Sequence, residues 1–278
     1  MTTPKAKLAG LALIAALCTG FTLGLTAPAW AGWDEGVGAY FRGDYATALR
    51  EWRPLAEQGN ATAQFRIGTM YRKGQGVPQD YVQAVRWFRK AAEQGHVFAQ
   101  NTLGKMYKNG KGVPQDDAEA VRWWRKAAEQ GKAEAQFFLG VMYMSGEGVP
   151  QDDAEGVKWY RKAAEQGYAG AQTALGVMYA EGQGVPQDDA EAVRWYRKAA
   201  EQGNALAQYS LGFTYRNGLG VPQDYVQAYA WYNLAASRFS PGEDRDTAVK
   251  NRDIIAKMMT PAQISEAQKL AREWRPKK

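Results

Sequence analysis

A repeat of 36 residues runs through most of the 278-residue chain and constrains its fold more than any other feature. Five consecutive units begin at Asn60, His96, Lys132, Tyr168 and Asn204. The second half of the unit is nearly copied, as in GVPQDDAEAVRWWRKAAEQG from Gly112 and GVPQDDAEAVRWYRKAAEQG from Gly184. A period of this length is typical of solenoids, in which each unit stacks only on its neighbours. The chain therefore needs no single central core.

Each unit has the hydrophobic pattern of two amphipathic helices. The first helix is predicted over residues 61–71 in the first unit, with apolar positions at i, i+4, i+7 and i+8. The second helix has its apolar positions at i, i+3, i+4, i+7 and i+8. A weaker unit over residues 32–59 is predicted to form an N-terminal helix pair, and residues 240–278 to form C-terminal capping helices. The sequence thus predicts an all-α chain whose five full units span residues 60–239.

The connection inside each unit carries residues that end one helix and begin the next. Glycines such as Gly74 and Gly76 suit a backbone that leaves a helix through positive φ, and Pro78 cannot continue a helix. An aspartate then comes three residues before Gln or Glu. These pairs are Asp80–Gln83, Asp116–Glu119, Asp152–Glu155, Asp188–Glu191 and Asp224–Gln227. The spacing predicts a reciprocal capping box at the start of every second helix, with Asp in place of Ser or Thr.

The unit AxxxLGxMYxxGxGVPQDxxxAxxWxRKAAEQG resembles the Sel1-like repeat, a relative of the tetratricopeptide repeat. The resemblance extends over residues 60–239. It implies an α-solenoid of antiparallel helix pairs in a right-handed superhelix, which serves as a scaffold for contacts between proteins. It also implies that the chain has no catalytic residues. Exported bacterial members of such families serve in envelope signalling, polysaccharide export or the control of cell-wall enzymes.

Residues 1–31 have the order of a secretory signal peptide. A basic start precedes an uncharged run over residues 8–25, and Ala29-Trp30-Ala31 gives a signal-peptidase pattern. Cleavage after Ala31 would leave a periplasmic or secreted protein without Cys18, the only cysteine, and without stable membrane insertion. An uncut membrane anchor is the alternative, because the apolar run nearly reaches the roughly 20 residues that span a bilayer.

Charge and residue types argue against several other kinds of site. The formal charge of +6, or +4 without Lys5 and Lys7, is spread over the repeats, whereas a nucleic-acid surface needs clustered Lys and Arg. His96, the only histidine, is interpreted as a tolerated surface residue. Acidic pairs such as Asp116–Asp117 are assigned to helix starts rather than to calcium. No nucleic-acid partner, metal or cofactor is therefore expected.

One tryptophan recurs at the same helical position in every unit. These residues are Trp87, Trp123, Trp159, Trp195 and Trp231. Because they lie beside small alanines, core packing is favoured over a stacking platform for sugars or bases.

Positions that differ between otherwise copied units are the candidates for partner binding. On the first helix the third, sixth, seventh, tenth and thirteenth residues vary and form one stripe at helical spacing. By resemblance to tetratricopeptide arrays, this stripe lines the concave groove. The predicted binding residues are Phe65, Phe98, Asn101, Lys105, Phe137, Phe138, Val141, Met144, Tyr209, Phe213 and Arg216. Packing between adjacent units is the alternative explanation for these side chains.

Two classes of function follow from these observations. The favoured one is a non-catalytic adaptor or scaffold of the cell envelope that binds a protein or peptide in the groove. The alternative is a protein that binds peptidoglycan or polysaccharide, with or without hydrolysis by paired carboxylates. Exposed Trp or a close carboxylate pair in the groove favours the alternative, whereas Phe, Val, Met and Arg there favour the adaptor.

Overall fold

The computed structural model describes residues 32–276, and every regular element in this part of the chain is an α-helix. The predicted signal peptide, its cleavage site and Cys18 lie outside the described residues. The helices are α1 (Trp33–Phe41), α2 (Tyr45–Glu57), α3 (Ala61–Lys73), α4 (Tyr81–Glu93), α5 (Val97–Lys108), α6 (Asp117–Glu129), α7 (Ala133–Ser145), α8 (Asp153–Glu165), α9 (Ala169–Glu181), α10 (Asp189–Glu201), α11 (Ala205–Asn217), α12 (Tyr225–Arg238), α13 (Glu243–Ala256) and α14 (Pro261–Glu273). Consecutive helices from α1 to α13 pack against each other, so the chain is an all-α solenoid of helix pairs. Within residues 32–276 no helix is both long enough and apolar enough to cross a membrane.

Each second helix of the five units begins at the aspartate predicted to cap it. Oδ1 of Asp80 accepts a hydrogen bond from the backbone N–H of Gln83 at 2.9 Å. The same 2.9 Å bond is made by Asp116, Asp152, Asp188 and Asp224. These side chains satisfy a backbone donor that the first turn of a helix leaves unpaired.

The return bond of a capping box is missing at these five helix starts, so that part of the prediction is wrong. The backbone N–H of Asp80 donates instead to the carbonyl oxygen of Tyr71 at 3.0 Å, and the other four aspartates repeat this bond within their own units. The donor that a capping box needs is therefore already used. Glu119, the third residue of α6, is free to pair with Arg122 at 3.2 Å. The aspartate thus begins one helix and ties it to the end of the helix before it.

A glycine in the first helix of each unit lets the second helix approach closely. A Cβ atom at Gly68 would lie 2.8 Å from the ring of Phe88, and one at Gly140 would lie 2.6 Å from the ring of Tyr160. Gly104, Gly176 and Gly212 seat an aromatic ring in the same way. A larger residue at this position would displace an aromatic side chain of the core.

The second glycine of each GxG loop joins successive units. Gly148 has a φ of 68°, and a Cβ atom there would overlap the backbone of Asp117 at the start of α6. The equivalent glycines are Gly76, Gly112, Gly184 and Gly220. Positive φ and lack of space together explain why only glycine suits this position.

A buried glutamine in every first helix links the two second helices beside it. Nε2 of Gln64 donates to the carbonyl oxygen of Ala56 at 2.9 Å, and Oε1 of Gln64 accepts from Nε2 of Gln94 at 2.7 Å. The equivalent residues are Gln100, Gln136, Gln172 and Gln208. The series ends at Gln208, whose Oε1 has no partner in the described chain, because Arg238 stands where the next glutamine would be.

The recurring tryptophans belong to the core in the middle of the solenoid. Trp123, Trp159 and Trp195 are buried, with 2%, 8% and 8% of their surface exposed, which confirms the core prediction for them. Trp87 and Trp231 pack against the core as well but are only half-buried. Trp87 packs against the short N-terminal helix pair, and Trp231 lies beside the C-terminal cap, so neither has a full unit on both sides.

The last unit is covered by α13 and α14, which both pack against α12. α12 buries Leu234, whereas the preceding second helix carries Lys198 at the equivalent position. At the other end of the solenoid, α1 and α2 pack around the buried ring of Trp52. Both ends of the repeat array are therefore closed by helices that differ from the repeat.

Candidate functional site

The predicted binding residues lie on one surface, the first-helix surface, formed by the first helices of the five units (α3, α5, α7, α9 and α11). Side chains of neighbouring first helices meet there. The ring centroids of Phe65 on α3 and Phe98 on α5 are 6.2 Å apart, and Nδ2 of Asn101 on α5 donates to Glu134 on α7 at 2.7 Å. The surface is therefore continuous from one unit to the next.

A pocket of about 400 Å³, the basic pocket, lies where α3, α5 and α7 meet. The predicted residues that line it are Phe65, Phe98, Asn101 and Lys105. Arg72, Lys111 and Glu134 complete its charged part. Phe98 is 51% exposed, which is unusual for so large an apolar side chain. The pocket thus combines an aromatic wall with three cations and one carboxylate.

The single carboxylate of the basic pocket neutralises only one of these cations. An oxygen of Glu134 lies 2.6 Å from Nζ of Lys105. Burial raises the pKa of Glu134, but the hydrogen bond and charge of Lys105 and the hydrogen bond from Asn101 outweigh it and hold this pKa below its ordinary value. Asn101 is buried, and its amide donates a hydrogen bond to Glu134 instead of facing solvent. Arg72 and Lys111 make no ion pair with any residue in 32–276.

His96 lies behind the aromatic wall, and the interpretation of it as a plain surface residue is wrong. Its ring stacks on Phe65 with the centroids 4.7 Å apart, and its Nδ1 accepts a hydrogen bond from the N–H of Ala99 at 3.3 Å. His96 therefore caps α5, as Asn60 caps α3. Burial lowers the pKa of His96, and the nearby charge of Arg66 lowers it further.

The middle of the first-helix surface is more closely packed than its two ends. Phe138 stacks on the buried ring of Trp124 with the centroids 5.0 Å apart. Phe137, Val141 and Met144 are half-buried against the core shared by the third and fourth units. These predicted residues therefore contribute to packing between units and expose only part of their surface.

A second pocket of about 350 Å³, the acidic pocket, lies between α9 and α11. Tyr209 and Phe213 of the predicted set line it, and Phe213 is 47% exposed. Glu181 and Asp189 also line it, and no Lys or Arg does. Neither carboxylate makes an ion pair with any described residue. The acidic pocket thus has an aromatic wall like that of the basic pocket but carries the opposite charge.

Tyr209 and Arg216 connect this end of the surface to the C-terminal cap. The hydroxyl oxygen of Tyr209 accepts a hydrogen bond from Nδ2 of Asn251 on α13 at 2.9 Å. Nη1 of Arg216 donates to Oδ1 of the same Asn251 at 3.2 Å. Both predicted residues therefore also hold α13 against the last unit.

Comparison with known proteins agrees with this architecture. The Sel1 repeat model matches residues 61–96, 97–132, 133–168, 169–204 and 205–238. The chain belongs to the Sel1 repeat family. A Sel1 repeat protein from Oxalobacter formigenes is 33% identical in sequence, and the match covers 89% of this chain and 99% of that one, with a TM-score of 0.74.

A second solved structure is a protective antigen of uropathogenic Escherichia coli with an SLR fold. It is 29% identical, and the match covers 90% of this chain and 77% of that one, with a TM-score of 0.45. A search of curated proteins finds no match to this Sel1 repeat protein.

Sequence reasoning missed the residues of this Sel1 repeat protein that set the charge of each pocket. Lys111 follows the first helix, outside the predicted stripe, and Asp189 belongs to one of the acidic pairs, equivalent to Asp116–Asp117, that were assigned only to helix starts. Variation between units at positions outside the first helix could have identified Lys111. The position of Lys111 is held by Gln75 in the first Sel1 repeat and by Glu147 in the third.

Two of the acidic side chains at the starts of second helices pair with other parts of the chain, Asp117 with a lysine of its own unit and Asp153 with a glutamine of the next unit. Asp117 lies 3.2 Å from Nζ of Lys108, and Asp153 accepts a hydrogen bond from Gln183 at 3.1 Å. Within residues 32–276, no group of three or more His, Cys, Asp or Glu side chains is placed to hold a metal ion.

Proposed function

We propose that this Sel1 repeat protein is a non-catalytic scaffold of the cell envelope whose first-helix surface binds a protein or peptide. Sel1 repeat proteins are in general scaffolds for interactions between proteins. The observation that carries the proposal for this chain is the position of Phe98 and Phe213. Each is a half-exposed ring in a pocket, and both pockets lie on the same surface. Exposed apolar groups that cluster in pockets are typical of contact sites.

The repeat itself indicates that the fold does not need either ring. The position of Phe98 is occupied by Thr62 in the first unit, and the position of Phe213 by Thr69. Both threonines lie on α3, which begins at the same position of its unit as α5 and α11 do and packs, like them, against the second helix on either side. Large apolar side chains at positions 98 and 213 therefore serve something other than folding.

The residue types in the pockets favour a protein partner over a glycan. The exposed rings on the first-helix surface are phenylalanines, whereas three of the five repeated tryptophans are buried in the core. Phenylalanine provides apolar area without the polar edge that tryptophan offers to a sugar. Unpaired charges beside the rings suit a partner that carries charges of its own, as a polypeptide does.

The proposed location rests on the signal peptide predicted over residues 1–31. Its removal would place the protein in the periplasm or outside the cell. Mass spectrometry of the protein purified from its own cells tests this. We expect a mature N terminus at Gly32, and an N-terminal peptide that contains Cys18 would contradict the location.

Site-specific photocrosslinking in living cells tests the binding surface. Phe98, Phe213 and Val82 are each replaced by the photoreactive amino acid p-benzoylphenylalanine. Val82 is the control because it is 50% exposed on a second helix and lines neither pocket. We expect discrete adducts with a protein from positions 98 and 213 and none from position 82. Adducts with glycan, or equal adducts from all three positions, would contradict the proposal.

A further inference from the structure

The two pockets of the first-helix surface carry opposite charges that nothing in the described chain neutralises. In the basic pocket, Lys105 is paired with Glu134, but Arg72 and Lys111 have no carboxylate partner among residues 32–276. In the acidic pocket, the carboxylates of Glu181 and Asp189 likewise have no cationic partner in that range. Each pocket therefore keeps a net charge that a bound molecule can complement.

This charge separation follows from the sequences of the helices that form the surface. The cations of α3 and α5 include Arg66, Arg72 and Lys105, and neither helix contains a carboxylate. On α9 the only charged residue is Glu181. Between these helices lies α7, which presents the half-buried apolar side chains described above. The surface is therefore basic at α3 and α5 and apolar at α7, and its pocket between α9 and α11 is acidic because Arg216, the one cation of α11, lies outside that pocket and donates to Asn251 on α13.

Each uncompensated charge lies beside an exposed ring. Phe98 lines the same pocket as Arg72 and Lys111, and Phe213 lines the same pocket as Glu181. A charge at an apolar wall interacts more strongly with an opposite charge than one surrounded by water does. The basic pocket thus fits an apolar side chain next to a carboxylate. The acidic pocket fits an apolar side chain next to an ammonium or guanidinium group.

We infer that the partner docks through a linear peptide segment with acidic and basic ends, whose acidic end lies in the basic pocket and whose basic end lies in the acidic pocket. This inference rests on the proposed function and adds the chemistry and charge order of the ligand. A polymer of one charge sign, such as a nucleic acid or an acidic polysaccharide, would be repelled at Glu181 and Asp189. A neutral glycan would leave both sets of charges uncompensated.

The spacing of the pockets sets the length of this segment. Adjacent packed helices lie about 10 Å apart, so the distance from α5 to the gap between α9 and α11 is on the order of 25 Å. An extended chain covers this distance with about seven residues, since it spans at most about 3.3–3.6 Å per residue. The two charged ends of the bound segment are therefore expected to be separated by about this number of residues.

A displayed library of random linear peptides, each about twelve residues long to exceed this span, tests the inference when it is selected on the purified full protein. We expect enriched peptides to carry Asp or Glu beside an apolar residue at one end and Lys or Arg beside an apolar residue at the other. Selected peptides without this charge order would overturn the inference.

Charge-reversed variants identify which pocket holds which end. Lys111→Glu and Glu181→Lys each introduce the residue that another unit carries at the same position, Glu147 and Lys73 respectively. For a synthetic peptide from the selection, fluorescence anisotropy should show at least about tenfold weaker binding to each variant, the effect of losing about 1.4 kcal/mol. Changing the acids of the peptide to Lys should restore binding to the Lys111→Glu variant. Such rescue distinguishes a direct charge contact from damage to the fold.

Failure of the inference can be told apart from failure of the proposed function. If selected peptides lose affinity for a Phe98→Thr, Phe213→Thr double variant but not for the charge variants, the surface binds peptides and the inferred charge order is wrong. If no peptide is enriched, the inference is overturned, while the crosslinking experiment in cells still decides the proposed function.

Discussion

Acid should weaken the start of α5, because His96 caps this helix only when its ring is neutral. Nδ1 of the neutral ring accepts the N–H of Ala99 at 3.3 Å, whereas a protonated ring has only donors. Burial and the charge of Arg66 lower the pKa of His96 below its ordinary value of 6.5, so the folded protein resists protonation more than the unfolded chain does. The stability from this cap is therefore fully present above pH 6.5 and is lost as the pH falls through the lower folded-state pKa.

The size of this effect follows from the bond that is lost. An N-cap contributes about 1 kcal/mol, within a range of about 0.5–2. In a protein of this size, that loss lowers the melting temperature by about 2–4 °C. The control is His96→Asn, because Asn60 and Asn204 cap α3 and α11 at 2.9 and 3.0 Å with an amide that does not titrate.

Thermal unfolding followed by circular dichroism measures the effect in both proteins. Between about pH 7.5 and about pH 5, across the range in which histidine titrates, the wild-type protein should lose more stability than His96→Asn does. The difference should equal the free energy that the cap contributes, about 1 kcal/mol. Other groups titrate equally in the two proteins and cancel in the difference. Equal losses in both proteins would refute the assignment of His96 as a cap that depends on its neutral form.

Five further substitutions, two of them controls, test the packing of the repeat. Gly148→Ala should cost more than about 2 kcal/mol in urea unfolding, because it adds overlap with the preceding unit to the cost of positive φ. Gly167→Ala, with φ of 84° and no atom within 4 Å, should cost only about 1–2 kcal/mol, and equal losses would contradict the overlap. Gln136→Leu should cost about 1–3 kcal/mol by leaving a carbonyl and an amide unpaired. Gln208→Leu should cost less, since its Oε1 already lacks a partner, and the reverse order would contradict the role of the glutamine series. Trp159→Ala should cost roughly 3–5 kcal/mol, and an unchanged denaturation midpoint would show that this ring is not core.

The repeat made the helix pairs predictable, because period, apolar spacing and caps all indicate the same boundaries. The aspartate caps were predicted from local sequence, since a side chain and a backbone N–H three residues later need no other element. The return bond from Gln83 or Glu119 was predicted wrongly. Whether the N–H of Asp80 is free depends on the carbonyl of Tyr71, and that carbonyl reaches it only when the two helices pack.

The candidate site was predictable only in part. Variation between units led to Phe65, Phe98 and Lys105, which the structure brings together in the basic pocket. It did not distinguish them from Phe138, whose ring is stacked on the core, because a side chain that packs between units also varies. The charges that face the pockets from outside the first helices, such as Lys111, depend on how neighbouring units stack. That stacking is not visible in the pattern of a single helix.

Calorimetric titration of the protein identified by crosslinking tests the central claim most directly. The wild-type protein is compared with the Phe98→Thr, Phe213→Thr double variant and with the control Val82→Ala. The control introduces the residue that the second unit carries at this position, Ala118. We predict that the double variant keeps the wild-type melting temperature and binds with about 2 kcal/mol less free energy, or roughly 30-fold more weakly. The control should bind like the wild type. Equal affinity of all three proteins for the partner would contradict the assignment of the first-helix surface as the binding site.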